Sequence, residues 1–400
     1  MKILQLNKFI SITGGSESVM SDISRLLIQH GHTVFNMGYH KEGKSYLQNI
    51  IDLGPERRSP LQWLADSKRV KLIINFVVEK DIGVIIFHNI YHHFPCFSLL
   101  LQVKAQTRAK CILFVHDPKP VCPNNMLFTH GKICEKCGGN RFYKCIIQRC
   151  KDNSFVKSVF VSMDSYYNSR IFDFYRFFDL IISPSTFLKN KLYEMGFKHS
   201  VHVVRNPVEN ETALIKNGSP SITHKIILFA GRLSEVKGVQ NIIAIADLFK
   251  DIKFIIIGDG PYKNILVSKS RSLENIVFLG YKTRHEIFEY MSKSSYLILP
   301  AIWYENCPVV VLEAMSMGLP VLGSNLGGIP ELVTEERGYL FDPFSDSSIR
   351  AAITRAFSMD AESYHALSEK CKAFSKTVSF DNYYKIFSRY AFSEKEGKEI

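Results

Sequence analysis

Short runs of β-branched and other apolar residues alternate with helical patterns along the chain. In the first half these runs are KILQLN, HTVFNMG, IGVIIFHN and AKCILFVHD, and the helical stretch VMSDISRLLIQHG separates the first two. They resume after a proline-containing join as IILFAG, FIIIGDG, IVFLG, YLILP and PVLGS. Because this alternation is typical of parallel strands connected by helices, the sequence predicts two doubly wound α/β sheets, joined near residue 207.

The length fits this division, since 400 residues exceed what one hydrophobic core usually serves at roughly 150 residues per domain. We predict a first domain over 1–206, a second over 207–379, and a C-terminal helix within 380–400 that packs back on the first. Hydrophobic residues make up 46% and charged residues 22% of the chain, which excludes a disordered or fibrous protein. The opening MKILQLNKFI lacks the features of a signal peptide, and the sequence predicts no membrane span. We therefore expect a cytoplasmic protein with reduced cysteines.

Charge is distributed unevenly along the chain. Residues 1–207 contain 28 Lys and Arg against 15 Asp and Glu, whereas the remainder contains 22 against 23. A basic half indicates an anionic partner, such as a phospholipid surface, a phosphorylated lipid or nucleic acid. Charge alone does not choose among these three.

One apolar series after residue 155 has the period of a helix. Its members recur at three- and four-residue steps: Val156, Val159, Phe160, Met163, Tyr167, Ile171, Phe174 and Phe178. The favoured interpretation is a helix that faces the core. The alternative is a membrane-surface helix, because Lys157, Arg170 and Arg176 lie beside the aromatic residues.

The stretch ENCPVVVLEAMSMGLP places two acids around three valines. Pro308 suits the first position of a helix and Gly318 its C-terminal end, so we predict a helix over 308–317. Amides at its start would suit a phosphate. Glu313, more than one turn inside, could accept hydrogen bonds from vicinal hydroxyls such as those of a ribose. The alternative is a pair of solvated surface acids.

Two glycine-containing motifs precede this helix. ILFAGRLSEVKG ends a strand at Gly231 and presents Arg232 and Lys237, two cations suited to a diphosphate. FIIIGDGP ends a strand at Gly258 and Gly260, where backbone can approach a ligand closely. Lys263 stands where a dinucleotide-binding fingerprint would have its third glycine, which disfavours a dehydrogenase. NLGGIPELV supplies a further tight turn ahead of a helix.

Together, these motifs resemble the C-terminal half of retaining glycosyltransferase family 4. The order GR…KG, GDGP, E…E and GG.PE matches over roughly residues 226–335. The resemblance implies the GT-B fold, in which two Rossmann-like domains face a central cleft. It also implies that Arg232 and Lys237 bind the donor diphosphate, Glu313 the ribose and Glu305 the transferred sugar. The other implied donor-site residues on this half are Gly231, Gly258, Gly260 and Asn306.

The N-terminal half carries two further matches. TGGSESV, with Gly14 and Gly15, looks like the family's loop after the first strand, which approaches the reaction centre. FVHDPKP ends a predicted strand with His116, at the sheet edge where this kind of fold binds ligands. The resemblance implies that His116 contacts the transferred sugar.

Five cysteines fall within residues 122–150. Cys134, Cys137, Cys145 and Cys150 could hold a structural zinc ion, and the alternative is a cluster of reduced, packed thiols. A similar cysteine pattern occurs in a bacterial capsular and exopolysaccharide subgroup of the same family, as an insertion in the acceptor domain. We expect the segment to brace the acceptor side without a role in the chemistry.

The resemblance therefore predicts a retaining, metal-independent hexosyltransferase that needs no cofactor beyond its nucleotide diphosphate sugar. The expected acceptor is a polyprenyl-linked or other glycan of bacterial surface polysaccharide synthesis, at the inner face of the plasma membrane, and no nucleic acid is expected. Two alternatives remain at this point. One is a zinc-ribbon protein that binds nucleic acid, and the other is a GT-B enzyme of different chemistry, an epimerase or a phosphorylase.

Overall fold

The structure, a computed structural model, describes residues 1–11, 14–40, 47–54, 66–91, 93–209 and 218–392. The chain divides into two compact units. Unit 1 comprises Met1–Pro207 and Phe380–Ile400, and unit 2 comprises Val208–Ser379.

Unit 1 is built on a seven-stranded sheet in the order β3-β2-β1-β4-β5-β8-β9, and each described neighbouring pair is parallel. A two-stranded antiparallel hairpin, β6 and β7, lies outside this sheet. The strands are β1 Lys2–Phe9, β2 Thr33–Tyr39, β3 Ile50–Asp52, β4 Val84–Phe87, β5 Lys110–Phe114, β6 Phe128–Thr129, β7 Lys132–Ile133, β8 Leu180–Ser183 and β9 His202–Val203.

The helices of unit 1 connect these strands, and the last one returns from the C-terminal end of the chain. They are α1 Gly15–Gln29, α2 Ser67–Glu79, α3 Cys96–Gln106, α4 Tyr143–Ile147, α5 Phe155–Ser165, α6 Thr186–Glu194 and, from the C-terminal end, α14 Phe380–Ala391. The ring of Tyr384 in α14 stacks on His30 at 3.8 Å, and its hydroxyl lies 2.8 Å from His32 Nε2. These contacts hold α14 against the end of α1.

Unit 2 contains a six-stranded parallel sheet in the order β12-β11-β10-β13-β14-β15. Its strands are β10 Ile226–Ala230, β11 Lys253–Ile257, β12 Ile276–Gly280, β13 Tyr296–Leu299, β14 Val321–Ser324 and β15 Gly338–Phe341. Its helices are α7 Val239–Ile245, α8 Lys263–Lys269, α9 Arg284–Ser292, α10 Val309–Ser316, α11 Ile329–Leu332, α12 Asp346–Phe357 and α13 Ala361–Thr377.

The predicted pair of doubly wound parallel sheets is confirmed. Central strands such as β4 and β13 are buried at every position, as expected where helices cover both faces of a parallel sheet. The strand order reverses direction between β1 and β4 in unit 1 and between β10 and β13 in unit 2. Loops at the carboxyl ends of these strands therefore diverge, and open α/β sheets bind their ligands at such points.

The favoured core-facing interpretation of the series after residue 155 is wrong for α5. Helix α5 buries Ser158, Ser162, Asp164 and Ser165 together with Val161. Much of its apolar series faces outward, and the largest exposed side chains in this region are Phe155 at 57%, Val156 at 60%, Met163 at 48% and Ile171 at 67%. The helical period was recognised correctly as far as Ser165, where α5 ends, but the buried face of α5 is mainly polar. Farther along the series, Phe174 is fully buried.

Polar contacts explain this orientation of α5. Lys119 Nζ lies 2.8 Å from Asp164 Oδ2, and these side chains are only 4% and 1% exposed. Lys119 Nζ also donates to Ser165 Oγ, and Ser162 Oγ donates to the Phe142 carbonyl. Because a buried charge is costly unless it is paired, this ion pair fixes which face of α5 turns inward.

Among the described residues, no helix combines the length and the apolar character that crossing a bilayer requires.

Candidate functional site

The loops after β10 and β11 are joined by backbone hydrogen bonds. Gly231 N donates to the Ile257 carbonyl, and Leu233 N donates to the Asp259 carbonyl. Gly258 has a φ of +140°, and a Cβ at this position would lie 1.9 Å from the Gly231 carbonyl oxygen. Gly258 of the GDG motif therefore lets the loop after β10 approach closely, and a residue with a side chain would prevent this contact.

Lys237 and Glu305 form an ion pair between the loops after β10 and β13. Lys237 Nζ lies 2.6 Å from Glu305 Oε1, and Trp303 Nε1 donates to the same oxygen at 2.7 Å. The ammonium group also lies 5.8 Å from the centre of the Trp303 ring. Glu305 is only 7% exposed, so these two donors compensate for the burial of its charge. Lys237 and Glu305 were each predicted from sequence motifs, whereas Trp303 belongs to none of those motifs and was not predicted.

The turn at Gly327 and Gly328 holds the backbone of Glu305. Gly328 N donates to the Glu305 carbonyl at 2.7 Å. Gly327 has a φ of +64°, and a Cβ there would lie 2.3 Å from the same carbonyl oxygen. The GG turn predicted after β14 thus fixes the position from which the Glu305 side chain projects.

Helix α10 carries the second acid. It begins at Val309 with Pro308 as its N-cap, one position later than predicted, and Gly318 follows it with a φ of +74°. Glu313 Oε1 accepts a hydrogen bond of 2.8 Å from Arg284 Nε at the start of α9. Sequence reasoning missed Arg284, because ordinary charged residues at helix starts carry no distinguishing signal.

The remaining predicted residues of unit 2 differ in exposure. Arg232 is exposed on the loop after β10, and Asn306 is partly buried beside Glu305. The structure therefore joins Lys237 with Glu305 and Arg284 with Glu313, and it places Arg232 on the same loop as Lys237.

In unit 1, His116 follows β5 and lies beside His88, which follows β4. His88 Nδ1 lies 2.8 Å from His116 Nε2, and His88 Nε2 lies 2.9 Å from Gln5 Oε1 in β1. Burial lowers the pKa of His116 to about 4. Burial and, secondly, the neighbouring His116 lower the pKa of His88 well below its usual value. Both imidazoles are therefore neutral near pH 7.

The glycines after β1 mark the start of α1. Gly14 is the N-cap and Gly15 the first helical residue, and both are exposed. Asn7 Nδ2 in β1 donates to the buried carboxylate of Glu17 in the first turn of α1, and Asn7 Oδ1 accepts from Asn89 N after β4. These contacts place Gly14 and Gly15 at the carboxyl edge of the sheet, at its switch point.

The cysteine segment forms a compact group. The thiols of Cys145 and Cys150 are hydrogen-bonded to each other, and burial raises the pKa of Cys137 to about 12. In the part of the chain that the structure describes, no three His, Cys, Asp or Glu side chains are positioned to hold a metal ion. The zinc set of Cys134, Cys137, Cys145 and Cys150 stays a prediction, and the chemistry below does not depend on it.

Two family models match consecutive parts of the chain. The model described as Glycosyltransferase Family 4 matches residues 13–212, half of the chain, and the model described as Glycosyl transferases group 1 matches residues 212–374. The chain belongs to glycosyltransferase family 4. The resemblance drawn from the sequence motifs is thereby confirmed.

Curated relatives of this family 4 protein align over parts of their length. An uncharacterized glycosyltransferase, MJ1178 of Methanocaldococcus jannaschii, is 33% identical over 51% of this chain and 56% of its own. A 41.2 kDa protein of the cps region of Klebsiella pneumoniae is 28% identical over 53% and 62%. The amylovoran biosynthesis glycosyltransferase AmsK of Erwinia amylovora is 30% identical over 44% and 46%. The chain thus spans less than two thirds of each of these relatives.

Solved structures of similar fold cover nearly the whole family 4 chain. Anabaena HepE in complex with UDP has a TM-score of 0.68 at 16% identity, covering 98% of this chain and all of that one. The lipopolysaccharide outer core galactosyltransferase WaaB has a TM-score of 0.64 at 16% identity, covering 98% and 99%. At this identity the likeness shows the fold, and the predicted GT-B architecture is confirmed.

Proposed function

We propose that this protein transfers a sugar from a nucleotide diphosphate sugar to an acceptor hydroxyl, with retention of the anomeric configuration. The anomeric C–O bond to the diphosphate breaks, and its electrons leave on the phosphate oxygen. The acceptor oxygen forms the new bond to the anomeric carbon and gives up its proton. We assign the acceptor to the lipid-linked glycans of bacterial surface polysaccharide synthesis. Two relatives support the polysaccharide part of this assignment: one is named for the cps region of Klebsiella pneumoniae and the other for amylovoran biosynthesis in Erwinia amylovora.

One observation supports the donor site above all others, namely the ion pair of Lys237 with the buried Glu305 at the switch point of the second sheet. A lysine held 2.6 Å from a carboxylate is positioned without a ligand, so little reorganisation is needed when an anion arrives. HepE, which has the same fold, binds UDP. We therefore assign this part of unit 2 to the nucleotide sugar and unit 1 to the acceptor.

Cations of the chain stabilise the leaving group in this proposal. Negative charge builds up on the diphosphate as its bond to the sugar breaks, and preorganised positive charge favours that state over the ground state. Lys237 supplies one such charge and Arg232, exposed on the same loop, a second. We assign the phosphate-binding region to the backbone around Gly231, Gly258 and Gly260, together with the start of α10 and Asn306, which precedes that helix.

Two acids select the donor at its ends. Glu305 Oε1 is occupied by Lys237 and Trp303, so we assign hydrogen bonding to a sugar hydroxyl to the second carboxylate oxygen. Glu313 accepts from the ribose hydroxyls, while Arg284 Nε holds its carboxylate in place. In unit 1, Gly14 and Gly15 approach the donor and His116 contacts the transferred sugar.

Nucleotide binding tests this function directly. Calorimetry with UDP, GDP, ADP, CDP and dTDP is expected to find at least one ligand, and the matching nucleotide sugars should then be screened for transfer to lipid-linked glycan acceptors. NMR of the product identifies the anomer. Absence of binding to all five diphosphates would contradict the proposal.

The earlier alternatives make different predictions in the same assays. A zinc-ribbon protein would bind DNA or RNA in a salt-sensitive way without responding to nucleotide sugars, and family membership does not favour it. An epimerase would convert the nucleotide sugar without an acceptor. A phosphorylase would require inorganic phosphate or a sugar phosphate in place of the nucleotide sugar.

We further propose that unit 1 docks on the anionic inner face of the plasma membrane. The outward apolar face, defined as Phe155, Val156, Met163 and Ile171, has exposed basic residues near it in the sequence. Lys157 and Arg170 lie on the same segment, and Arg176 follows it, all exposed. Apolar side chains next to cations suit the boundary between acyl chains and anionic headgroups.

Vesicle flotation tests this docking. The protein is expected to float with vesicles of anionic phospholipid at low salt and less at high salt, because exposed charges are screened. Phe155→Glu combined with Ile171→Glu should reduce flotation at least about tenfold, since each charge opposes insertion of the apolar face. The control is Leu248→Glu in unit 2, a position that is 60% exposed. Equal flotation of both variants would contradict docking through this face.

A further inference from the structure

A chain of buried polar side chains runs across the sheet of unit 1 and ends at His116. Its members are Gln5, Asn36 and His88, all fully buried, and each comes from a different strand or strand end. Gln5 Nε2 lies 3.0 Å from Asn36 Oδ1, and the two His88 nitrogens contact Gln5 and His116. The proposed transfer uses only the last group, so the preceding three require an explanation.

Two backbone carbonyls fix the orientation of the amides in this chain. Gln5 Nε2 lies 3.1 Å from the Met20 carbonyl oxygen, and Asn36 Nδ2 lies 2.9 Å from the Gln48 carbonyl oxygen. A carbonyl only accepts hydrogen bonds, so the nitrogen of each amide must face it. Gln5 Oε1 is consequently the atom that faces His88.

The protons on both imidazoles follow from this orientation. Gln5 Oε1 accepts, so His88 Nε2 carries a proton and donates at 2.9 Å. A neutral imidazole has one proton, and therefore His88 Nδ1 is the acceptor for His116 Nε2–H at 2.8 Å. His116 in turn carries its proton on Nε2, which leaves Nδ1 as its accepting atom.

We propose that Gln5 and His88 are positioning residues that fix the tautomer of His116, so that its Nδ1 accepts a hydrogen bond from a hydroxyl of the transferred sugar. The sugar contact rests on the proposed function, whereas the tautomer rests on the hydrogen bonds alone. Without this chain the His116 ring could place its proton on Nδ1, which would then donate to the hydroxyl oxygen instead of accepting from the hydroxyl. Fixing a histidine tautomer through its other nitrogen is a general way of orienting such a ring.

The low basicity of both rings is consistent with this arrangement. Burial disfavours the imidazolium form of His116 and His88, and a second proton on His88 would sit on Nδ1 and face the His116 Nε2–H donor. The hydrogen bonds therefore require a neutral His88, and burial, which lowers the pKa of His116, keeps the second ring neutral.

Two substitutions at His88 separate positioning from simple packing. His88→Asn retains a carbonyl oxygen near the place of Nδ1, so it can still accept from His116 Nε2–H. His88→Phe retains the ring volume but has no acceptor. We expect His88→Phe to lower kcat for transfer roughly tenfold to a hundredfold, as one lost hydrogen bond at a reacting group does, with nucleoside diphosphate binding unchanged. His88→Asn should recover most of that loss.

Imidazole ¹⁵N shifts of ¹⁵N-histidine-labelled protein report which ring nitrogen is protonated. In the wild type the His116 proton is expected on Nε2, and in His88→Phe on a mixture of both nitrogens. His202→Asn, which replaces a histidine of β9, is the matched control for kinetics and spectra. If His88→Phe does not fold, Gln5→Met takes its place, because it removes the acceptor for His88 Nε2–H. The same fall in kcat and the same mixture of His116 tautomers are then expected.

Two results would overturn the proposal: a wild-type His116 protonated on Nδ1, or a His88→Phe variant with wild-type kcat. A wild type that transfers no sugar would refute the proposed function instead, and the ¹⁵N shifts would still decide the tautomer.

Discussion

Replacing Lys237 with alanine is expected to lower kcat/KM for sugar transfer by ~10²–10³-fold, the usual effect of removing one preorganised group that stabilises developing charge. The substitution also removes one of the two side-chain donors to the buried Glu305 Oε1 and leaves Trp303 Nε1, so part of the lost activity comes from a displaced carboxylate. Steady-state kinetics with the identified nucleotide sugar measures the effect. Arg232→Ala should act in the same direction. Since Arg232 is exposed, its loss should be smaller.

The control for Lys237→Ala is Lys225→Ala, which breaks an exposed ion pair with Asp251 in the same unit. Exposed pairs contribute little, so its kinetics should equal those of the wild type. Glu305→Gln completes a double-mutant cycle. Lys237 and Glu305 share one hydrogen bond, and either single substitution already removes it. The free-energy losses calculated from kcat/KM of the two single variants should therefore sum to more than the loss in the double variant. Near-normal turnover of both Lys237→Ala and Arg232→Ala would contradict the assignment of the diphosphate site.

Gly258→Ala is expected to destabilise unit 2 by about 3 kcal/mol or more, because the new methyl group overlaps a backbone oxygen and the φ is unfavourable for alanine. The nearest atom, the Gly231 carbonyl oxygen, would lie only 1.9 Å away. The loops after β10 and β11 must then separate, so nucleotide binding should be lost together with stability. Urea unfolding and calorimetry measure the two effects.

Gly83→Ala in unit 1 is the matched control for this substitution. A Cβ there would lie 3.5 Å from Met1 Cγ, an ordinary contact distance, so its stability should change by less than about 1 kcal/mol. If Gly258→Ala unfolded at the wild-type urea concentration, the close approach of the two loops would be refuted.

Much of the fold could be predicted from the sequence. The long apolar runs that became β1, β4, β10 and β13 gave both sheets, because parallel strands covered on both faces are apolar throughout. The strands β8 and β15, LIIS and GYLF, were missed, since four residues carry too little periodicity to distinguish a strand from a loop.

Individual side chains of the candidate site were predicted from the sequence, but the contacts between them were not. Glycines and acids at characteristic spacings named Lys237, Glu305 and Glu313, whereas Trp303, Arg284, His88 and Gln5 have no motif of their own. Their roles arise from contacts between residues far apart in the chain: Arg284 and Glu313 are 29 positions apart, and Gln5 and His88 are 83. Periodicity likewise found α5 but could not show which face Lys119 and Asp164 would turn inward.

Because of the buried pair of Lys119 and Asp164, the packing of α5 onto unit 1 is separate from the apolar character of its exposed face. An ordinary amphipathic helix packs on its domain through its apolar face. Substitutions on that face therefore change the stability of the domain as well. Here the buried face includes an ion pair and hydroxyl groups beside Val161, whereas Val156 and Met163 are exposed. Substitutions at the exposed apolar positions of α5 can therefore change the surface of unit 1 while the buried ion pair beneath them stays intact.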